Sequence, residues 1–364
     1  MKIAFLKNIF VLLLAVNYFL SAHAQTASRF RIVGYYCGTT IPVDSFETEK
    51  LTHLIFCFGH LSGNQFAIHS AADSATIIRM VELKSKNPDM KVMLSLGGWG
   101  GCEACSDVFG TEEGRKEFAK SVKKVSEYFK TDGIDLDWEY PAIKGPPGHK
   151  FSADDRKNFT DLLREIRKAN GDAFEISFAA GGFTSYIDSS VEWKGVIKYA
   201  DFINIMSYDL VHGYSTVSGH HTPLYSTPQQ KESTDNAVQM LLRNGVPANK
   251  LVIGAAFYGR FFEIEKGNKV DLYMPCKFSH GFSSKYSSDS LSSKNGFEKH
   301  WDEIAKAPYA INTERRLFAT YDDETSIALK TKYAIENKLG GIMFWQLYDD
   351  KFHNGLLETI FRSK

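Results

Sequence analysis

The chain carries no net charge: 43 Lys and Arg balance 43 Asp and Glu in 364 residues. A nucleic-acid binder needs a basic surface excess, so that class is excluded. Cysteine is scarce and odd in number, at five. That excludes a disulfide scaffold and leaves at least one thiol unpaired. Cys102 and Cys105 form a single C-x-x-C, with no second pair and no nearby His ligands. A structural zinc site is therefore not expected, while a local disulfide and two plain thiols both stay open. No long apolar run occurs after residue 24, which excludes a multispan membrane protein. No Gly-rich phosphate loop follows the first apolar run, which argues against an open dinucleotide-binding sheet. Disorder is excluded by ordinary globular values, 43% apolar and 24% charged.

Aromatic residues are plentiful, with 27 Phe, 17 Tyr and 5 Trp. Most of the Phe must fill core. Tyr and Trp also suit stacking on sugar rings, because a flat apolar face matches a pyranose face. At the N-terminus, Lys2 and Lys7 precede an apolar run from Ile9 to Leu20 and then Ala22-His23-Ala24. This reads as a secretory signal peptide over residues 1–24, leaving Gln25 first in a slightly acidic mature chain. The protein is expected to be secreted, either extracellular or periplasmic if bacterial, with no membrane contact after signal cleavage.

Eight short apolar runs alternate with amphipathic stretches. The runs are Arg31–Cys37, Leu54–Phe58, Lys91–Leu96, Gly133–Glu139, Glu175–Ala180, Phe202–Tyr208, Leu251–Phe257 and Gly341–Leu347. Most are continuous rather than alternating, as parallel strands covered on both sides require. Helical spacing marks Ala72–Lys86, Glu112–Phe129, Asp154–Ala169, Ser190–Tyr199, Gln229–Arg243 and Thr325–Lys338. Eight strands alternating with helices predict an α/β fold, a (β/α)8 TIM barrel. From Phe261 to Phe318 the alternation is lost, and a Ser-rich stretch, Ser283 to Ser293, precedes a possible helix at Phe297–Ala305. Residues 261–318 are read as a small α+β insertion subdomain between strands seven and eight, within a barrel of residues 25–364.

The run Asp132-Gly133-Ile134-Asp135-Leu136-Asp137-Trp138-Glu139-Tyr140-Pro141 carries the chemistry. Successive strand side chains point to opposite faces, so Asp135, Asp137 and Glu139 share one face and Ile134, Leu136 and Trp138 the other. Three acids on the inner face of a barrel strand cannot be packing, since their repulsion demands shared protons or partners. A calcium site would use loop oxygens instead. Glu139 stands last, at the C-terminal end where barrel enzymes keep their sites. A like-charged neighbour raises a carboxyl's pKa, and such an acid can protonate a glycosidic oxygen. Glu139 is thus the donor, Asp137 its modulator and Asp135 the deeper partner. Asp132 falls off this face by parity and supports the turn.

This stretch resembles the D-x-x-D-x-D-x-E signature of glycoside hydrolase family 18, the chitinases and their relatives. Ser95-Leu96-Gly97-Gly98-Trp99 resembles the family's S-x-G-G motif, and Met206-Ser207-Tyr208-Asp209 its M-x-Y-D motif. Phe344-Trp345 resembles the terminal Trp motif. Tyr258-Gly259-Arg260 resembles the Y-G-R that precedes an α+β insertion in the chitinase-type branch. The resemblance implies that Glu139 is the proton donor and that Asp137 moves between Asp135 and the substrate's acetamido group. It implies that Tyr208 and Asp209 orient that group and that Trp345 forms the floor under the cleaved sugar. Tyr35, Phe58, Trp99, Tyr140, Met206, Tyr258 and Arg260 are implied to line the cleft, and Ser207 to bind substrate with them. Gly97 and Gly98 let the backbone turn sharply beneath the sugar. Tyr214 stands where many relatives carry Trp, and His212, His220 and His221 read as solvated loop histidines rather than metal ligands.

The implied activity is secreted, monomeric chitinase action on chitin or chito-oligosaccharides, retaining and substrate-assisted, with no cofactor and no metal. An endo-β-N-acetylglucosaminidase acting on N-glycans and a non-catalytic chitin-binding lectin on the same barrel are the alternatives.

Overall fold

In the computed structural model, which describes residues 30–38 and 42–364, the eight apolar runs close into a parallel barrel. Its strands are β1 (Arg31–Tyr36), β2 (His53–Ser62), β3 (Lys91–Gly97), β4 (Gly133–Asp137), β5 (Glu175–Gly181), β6 (Phe202–Met206), β7 (Leu251–Ala256) and β8 (Gly341–Trp345). Each pairs with its neighbours in chain order, and β1 pairs with both β2 and β8, which closes the sheet. The strands are apolar throughout because helices cover the outside and side chains fill the inside. The outer core packs Leu94, Ile134, Leu136 and Ile176 against helix residues such as Phe118, Val122, Phe159 and Leu162. Val33, Ile55, Met93, Phe202, Val252 and Met343 fill the barrel interior. The signal-peptide reading lies outside the described residues.

Helix Glu112–Phe129 forms where the apolar spacing puts it, and Thr111 caps it by accepting the Gly114 N–H. Three helical expectations need correction. The Ser190–Tyr199 stretch forms no single helix; short helices at Thr184–Ser189 and Trp193–Val196 flank a break. Phe297–Ala305 is not helical: Glu298–Asp302 is a strand paired antiparallel with Ala307–Asn312. The helix expected from Gln229 begins only at Thr234, after the Ser233 cap.

Between β7 and β8 stands a second, five-stranded antiparallel sheet. Its strands in spatial order are Cys276–Ser283, Tyr258–Ile264, Leu317–Thr320, Ala307–Asn312 and Glu298–Asp302. It has apolar packing of its own around Phe261, Leu291, Phe297 and Tyr321. Its first strand starts two residues after β7 ends, so Tyr258 and Arg260 rise from the barrel's C-terminal rim.

Candidate active site

The β4 ladder ends at Asp137, and Glu139 lies two residues beyond, on the C-terminal rim. The strand period therefore stacks the acids in depth. Asp135 is fully buried in the barrel axis, Asp137 nearly so, and Glu139 is partly exposed at the mouth.

Asp135 is surrounded by donors. The hydroxyls of Tyr35 (3.0 Å), Ser95 (2.9 Å) and Ser177 (2.6 Å) and the Asn204 amide (3.2 Å) all donate to its carboxylate. Burial raises its pKa while these bonds oppose the rise. Asp137 has no comparable partner, and its Oδ1 is buried without a hydrogen bond. Burial first, then the charges of Glu139 and Asp135, push its pKa well above the ordinary carboxylate range. Glu139 is raised to about 7, first by burial and then by the charge of Asp209, against a hydrogen bond from Tyr140. Asp137 and Glu139 thus act on each other as neighbouring acids, and Asp209, after β6, adds its charge to Glu139.

Asp209 follows β6 in a left-handed conformation, φ 54°. The Arg260 guanidinium grips it bidentately, Nε and Nη2 each donating at 2.5 Å. Burial alone would raise Asp209, but His221 and Arg260 outweigh it and hold the carboxylate well below its ordinary value. Tyr208 packs edge-on to Tyr258 at 6.1 Å. Among the described residues its hydroxyl meets only the Met343 sulfur, at 3.8 Å, a weak acceptor that leaves it available to a substrate.

Aromatic faces surround these groups. Trp345 stacks on Phe58, with centroids 5.7 Å apart and 17° between planes, and leans on Tyr35. Trp99 leaves 53% of its surface in solvent beside Tyr140. So large an exposed indole is not core packing. Tyr140 is wedged between Phe183 and Tyr186. Three non-proline peptide bonds on this rim are cis: Cys57-Phe58, Glu139-Tyr140 and Trp345-Gln346.

Gly97 and Gly98 have a more specific reason than a sharp turn. Both have positive φ, and an added Cβ at Gly97 would lie 2.3 Å from the Asp137 carbonyl oxygen. At Gly98 it would lie 2.5 Å from the Phe58 ring. The two glycines let the end of β4 and the Phe58 ring approach this closely. Met206 is nearly buried and belongs to the barrel-interior packing. Ser207 does not face the cleft: it is fully buried, and its hydroxyl donates to the Gly254 carbonyl. Tyr35 lies beneath the site rather than along its wall, reaching it through Asp135. Trp138 is core, packed on Phe109 and Phe159. Asp132 accepts from Lys84 and from the Val92 N–H below β4.

The histidine reading is corrected. His212 is exposed, but His220 and His221 are fully buried. No group of three or more potential metal ligands occurs among the described residues. Sequence reasoning missed Ser177 and Asn204, which only strand parity on β5 and β6 could have flagged. Cys102 and Cys105 are disulfide-bonded, and Cys37, Cys57 and Cys276 are free.

Comparison with known proteins agrees with this arrangement. Glycosyl hydrolases family 18 is matched over residues 26–350. Similar proteins include chitinase A1 of Niallia circulans, 29% identical over 91% of this chain and 58% of that protein. The oviduct-specific glycoprotein of Mus musculus is 30% identical over 93% of this chain and 49% of that protein. The chain therefore spans only about half the length of these two relatives. Among solved structures, a glycoside hydrolase family 18 N-acetylglucosaminidase from Paenibacillus barengoltzii matches with a TM-score of 0.83 at 34% identity. That likeness covers 92% of this chain and 100% of that one.

Proposed function

The chain belongs to glycosyl hydrolase family 18, and from that premise we propose that it is a chitinase, hydrolysing β-1,4 linkages between N-acetylglucosamine units. The observation that carries the reading is the carboxyl of Glu139, raised to about 7 at the barrel mouth. A carboxylic acid still protonated near neutrality can donate to a glycosidic oxygen. Trp345 and Phe58 offer an apolar floor for the sugar, and Trp99 an edge for the next one.

The mechanism we assign is retaining and substrate-assisted. The acetamido oxygen attacks the anomeric carbon as Glu139 protonates the leaving oxygen. Water then opens the oxazolinium ring, with Glu139 taking its proton. Asp137, its pKa raised by burial and by its acidic neighbours, can hydrogen-bond to the acetamido group, and Tyr208 faces the same space. Asp209 is kept ionised and fixed by Arg260. No cofactor enters the scheme, and the protein is expected to act as a monomer. Export after cleavage before Gln25 completes the reading, and the mass of the exported protein checks it.

A second reading rests on the similar Paenibacillus enzyme, an N-acetylglucosaminidase by name: release of single sugars from chain ends. The wall raised by the second sheet beside the cleft suits a linear polymer better than a branched N-glycan. The deciding assay measures reducing ends and product sizes from chitin oligomers, with a high-mannose glycoprotein in parallel. Oligomer cleavage is expected, and Glu139→Gln should abolish it while retaining affinity, at a cost of about two to four orders of magnitude in rate. Release of monosaccharide alone selects the second reading. Binding without turnover selects a lectin, and cleavage only of the glycoprotein selects an endo-β-N-acetylglucosaminidase.

A further inference from the structure

The pair His220-His221 lies where the loop after β6 meets the second sheet, and the two rings face opposite ways. His220 Nε2 lies 3.1 Å from Asp302 of the second sheet, and its ring packs edge-on to Tyr309. Its backbone is clamped on both sides by the Gln230 side chain. His221 points back toward the cleft. Its Nδ1 lies 3.6 Å from the Asp209 carboxylate, and its ring packs on Tyr258 at 5.2 Å.

The backbone of His221 is also fixed. Its N–H donates to Thr320 Oγ1 on the second sheet, and its carbonyl accepts from the Leu210 N–H, the residue after Asp209. Both ring nitrogens are buried without a hydrogen-bond partner. A fully buried polar ring with no partner is costly. The nearest acceptor, Asp209 Oδ1, already accepts from Arg260 Nε. A separation of 3.6 Å is too long for a hydrogen bond, but catalytic contacts in empty sites are often long and tighten when substrate binds.

We propose that His221 is a positioning residue: on substrate binding its Nδ1–H donates to Asp209, fixing that carboxylate between His221 and Arg260, while His220 and Asp302 anchor the loop to the second sheet. The assignment rests on the chitinase reading. It gives the second sheet a role in the reaction, because the groups that hold His221 in place come from that sheet as well as from the barrel. Burial favours the neutral ring, which retains one N–H to donate.

The test compares His221→Asn, His221→Gln and His221→Leu on chitotetraose. Melting temperatures and pH profiles of kcat/KM are recorded for each. Asn puts an amide N–H where Nδ1 stands, Gln carries it to the position of Nε2, and Leu removes it. The Asn variant should keep kcat/KM within about threefold of the parent. The Gln and Leu variants should lose about ten- to hundredfold, as misplacement of a catalytic group by an ångström does. The loss should lie in kcat, at melting temperatures matching the Asn variant. Equal rates for Asn and Gln, whether high or low, would overturn the proposal, as would a Leu variant at parental activity. If Leu does not fold, the Asn and Gln comparison decides alone. Failure of the Asn variant to fold would show a structural ring and also overturn it. An inactive parent is instead a failure of the chitinase reading, and the same comparison is then read as chitotetraose affinity.

Discussion

As the proposed proton donor, Glu139 works only while protonated, so a pKa raised to about 7 sets the alkaline side of the expected pH profile. The carboxyl sits above its ordinary value of 4.5, and its protonated fraction falls as pH rises through about 7. kcat/KM for chitin oligomers should fall with it. The cause divides between burial, which comes first, and the Asp209 charge. Asp209→Asn removes that charge and leaves the Arg260 cation unpaired nearby, and both effects favour ionised Glu139. The alkaline limb should therefore move to lower pH. Asp137→Asn removes the acid to which Glu139 is coupled, so its alkaline limb should also move to lower pH, and the rate itself should fall strongly. Profiles of kcat/KM for both variants check this, and an unmoved limb in either would show that its carboxylate does not act on Glu139. The stacking of Asp135, Asp137 and Glu139 was legible in the sequence, since a period of two is a property of any strand. The second electrostatic partner of Glu139 was not, because Asp209 is 70 residues away and meets it only across the closed barrel. The burial of His221 was hidden for the same reason: it is set by packing against Tyr258 and Thr320.

Among the elements, the connection between the second sheet and β8 depends on one buried ion pair. Lys330, on helix Glu324–Glu336, donates to both oxygens of Asp322 at 2.9 and 2.7 Å, and both residues are fully buried. Asp322 also accepts from the Ala256 N–H at the end of β7, and Lys330 donates to Thr222, whose hydroxyl donates to the Ser207 carbonyl after β6. Two strand ends that carry cleft residues thus share this pair. Lys330→Met leaves an uncompensated buried carboxylate and should cost about 3–5 kcal/mol of stability. Denaturant unfolding measures it, and a loss under about 1 kcal/mol, the worth of an exposed pair, would show that water reaches the site. Elements with sustained periodicity, such as helix Glu112–Phe129, could be read directly. Strand Glu298–Asp302 could not. Phe297, Trp301 and Ile304 recur at helical spacing, yet pairing with Ala307–Asn312 supplies backbone partners that override it. β4 was read two residues too long for a related reason: its composition stays strand-like through Trp138 and Glu139, while the ladder stops where the chain turns into the cleft.

At the scale of the whole molecule, barrel closure determines which carboxylates can stand opposite Glu139, and so what serves as nucleophile. The alternation of runs was enough to indicate the barrel, because burial on both faces leaves an apolar imprint on every strand. Which rim residues face one another appears only once β1 pairs with β8. A two-carboxylate retaining enzyme needs a second carboxylate about 5 Å from the acid, across the scissile bond. Asp135 lies at the bottom of the barrel, committed to four donors. Asp137 shares the strand of Glu139 and approaches from the same side. Asp209 comes from β6, but Arg260 holds both its oxygens. That leaves the substrate's own acetamido oxygen. Three outcomes should then occur together on chitin oligomers. Products should emerge with retained β configuration, followed by NMR of fresh hydrolysate. Glucosamine oligomers lacking N-acetyl groups should be essentially inert. A thiazoline mimic of the cyclised intermediate should inhibit competitively and bind more tightly than substrate, because the site is complementary to that species. Cleavage of the deacetylated oligomers at a comparable rate, or a sugar trapped covalently on Asp135, Asp137 or Asp209, would assign the attack to the protein and overturn substrate assistance.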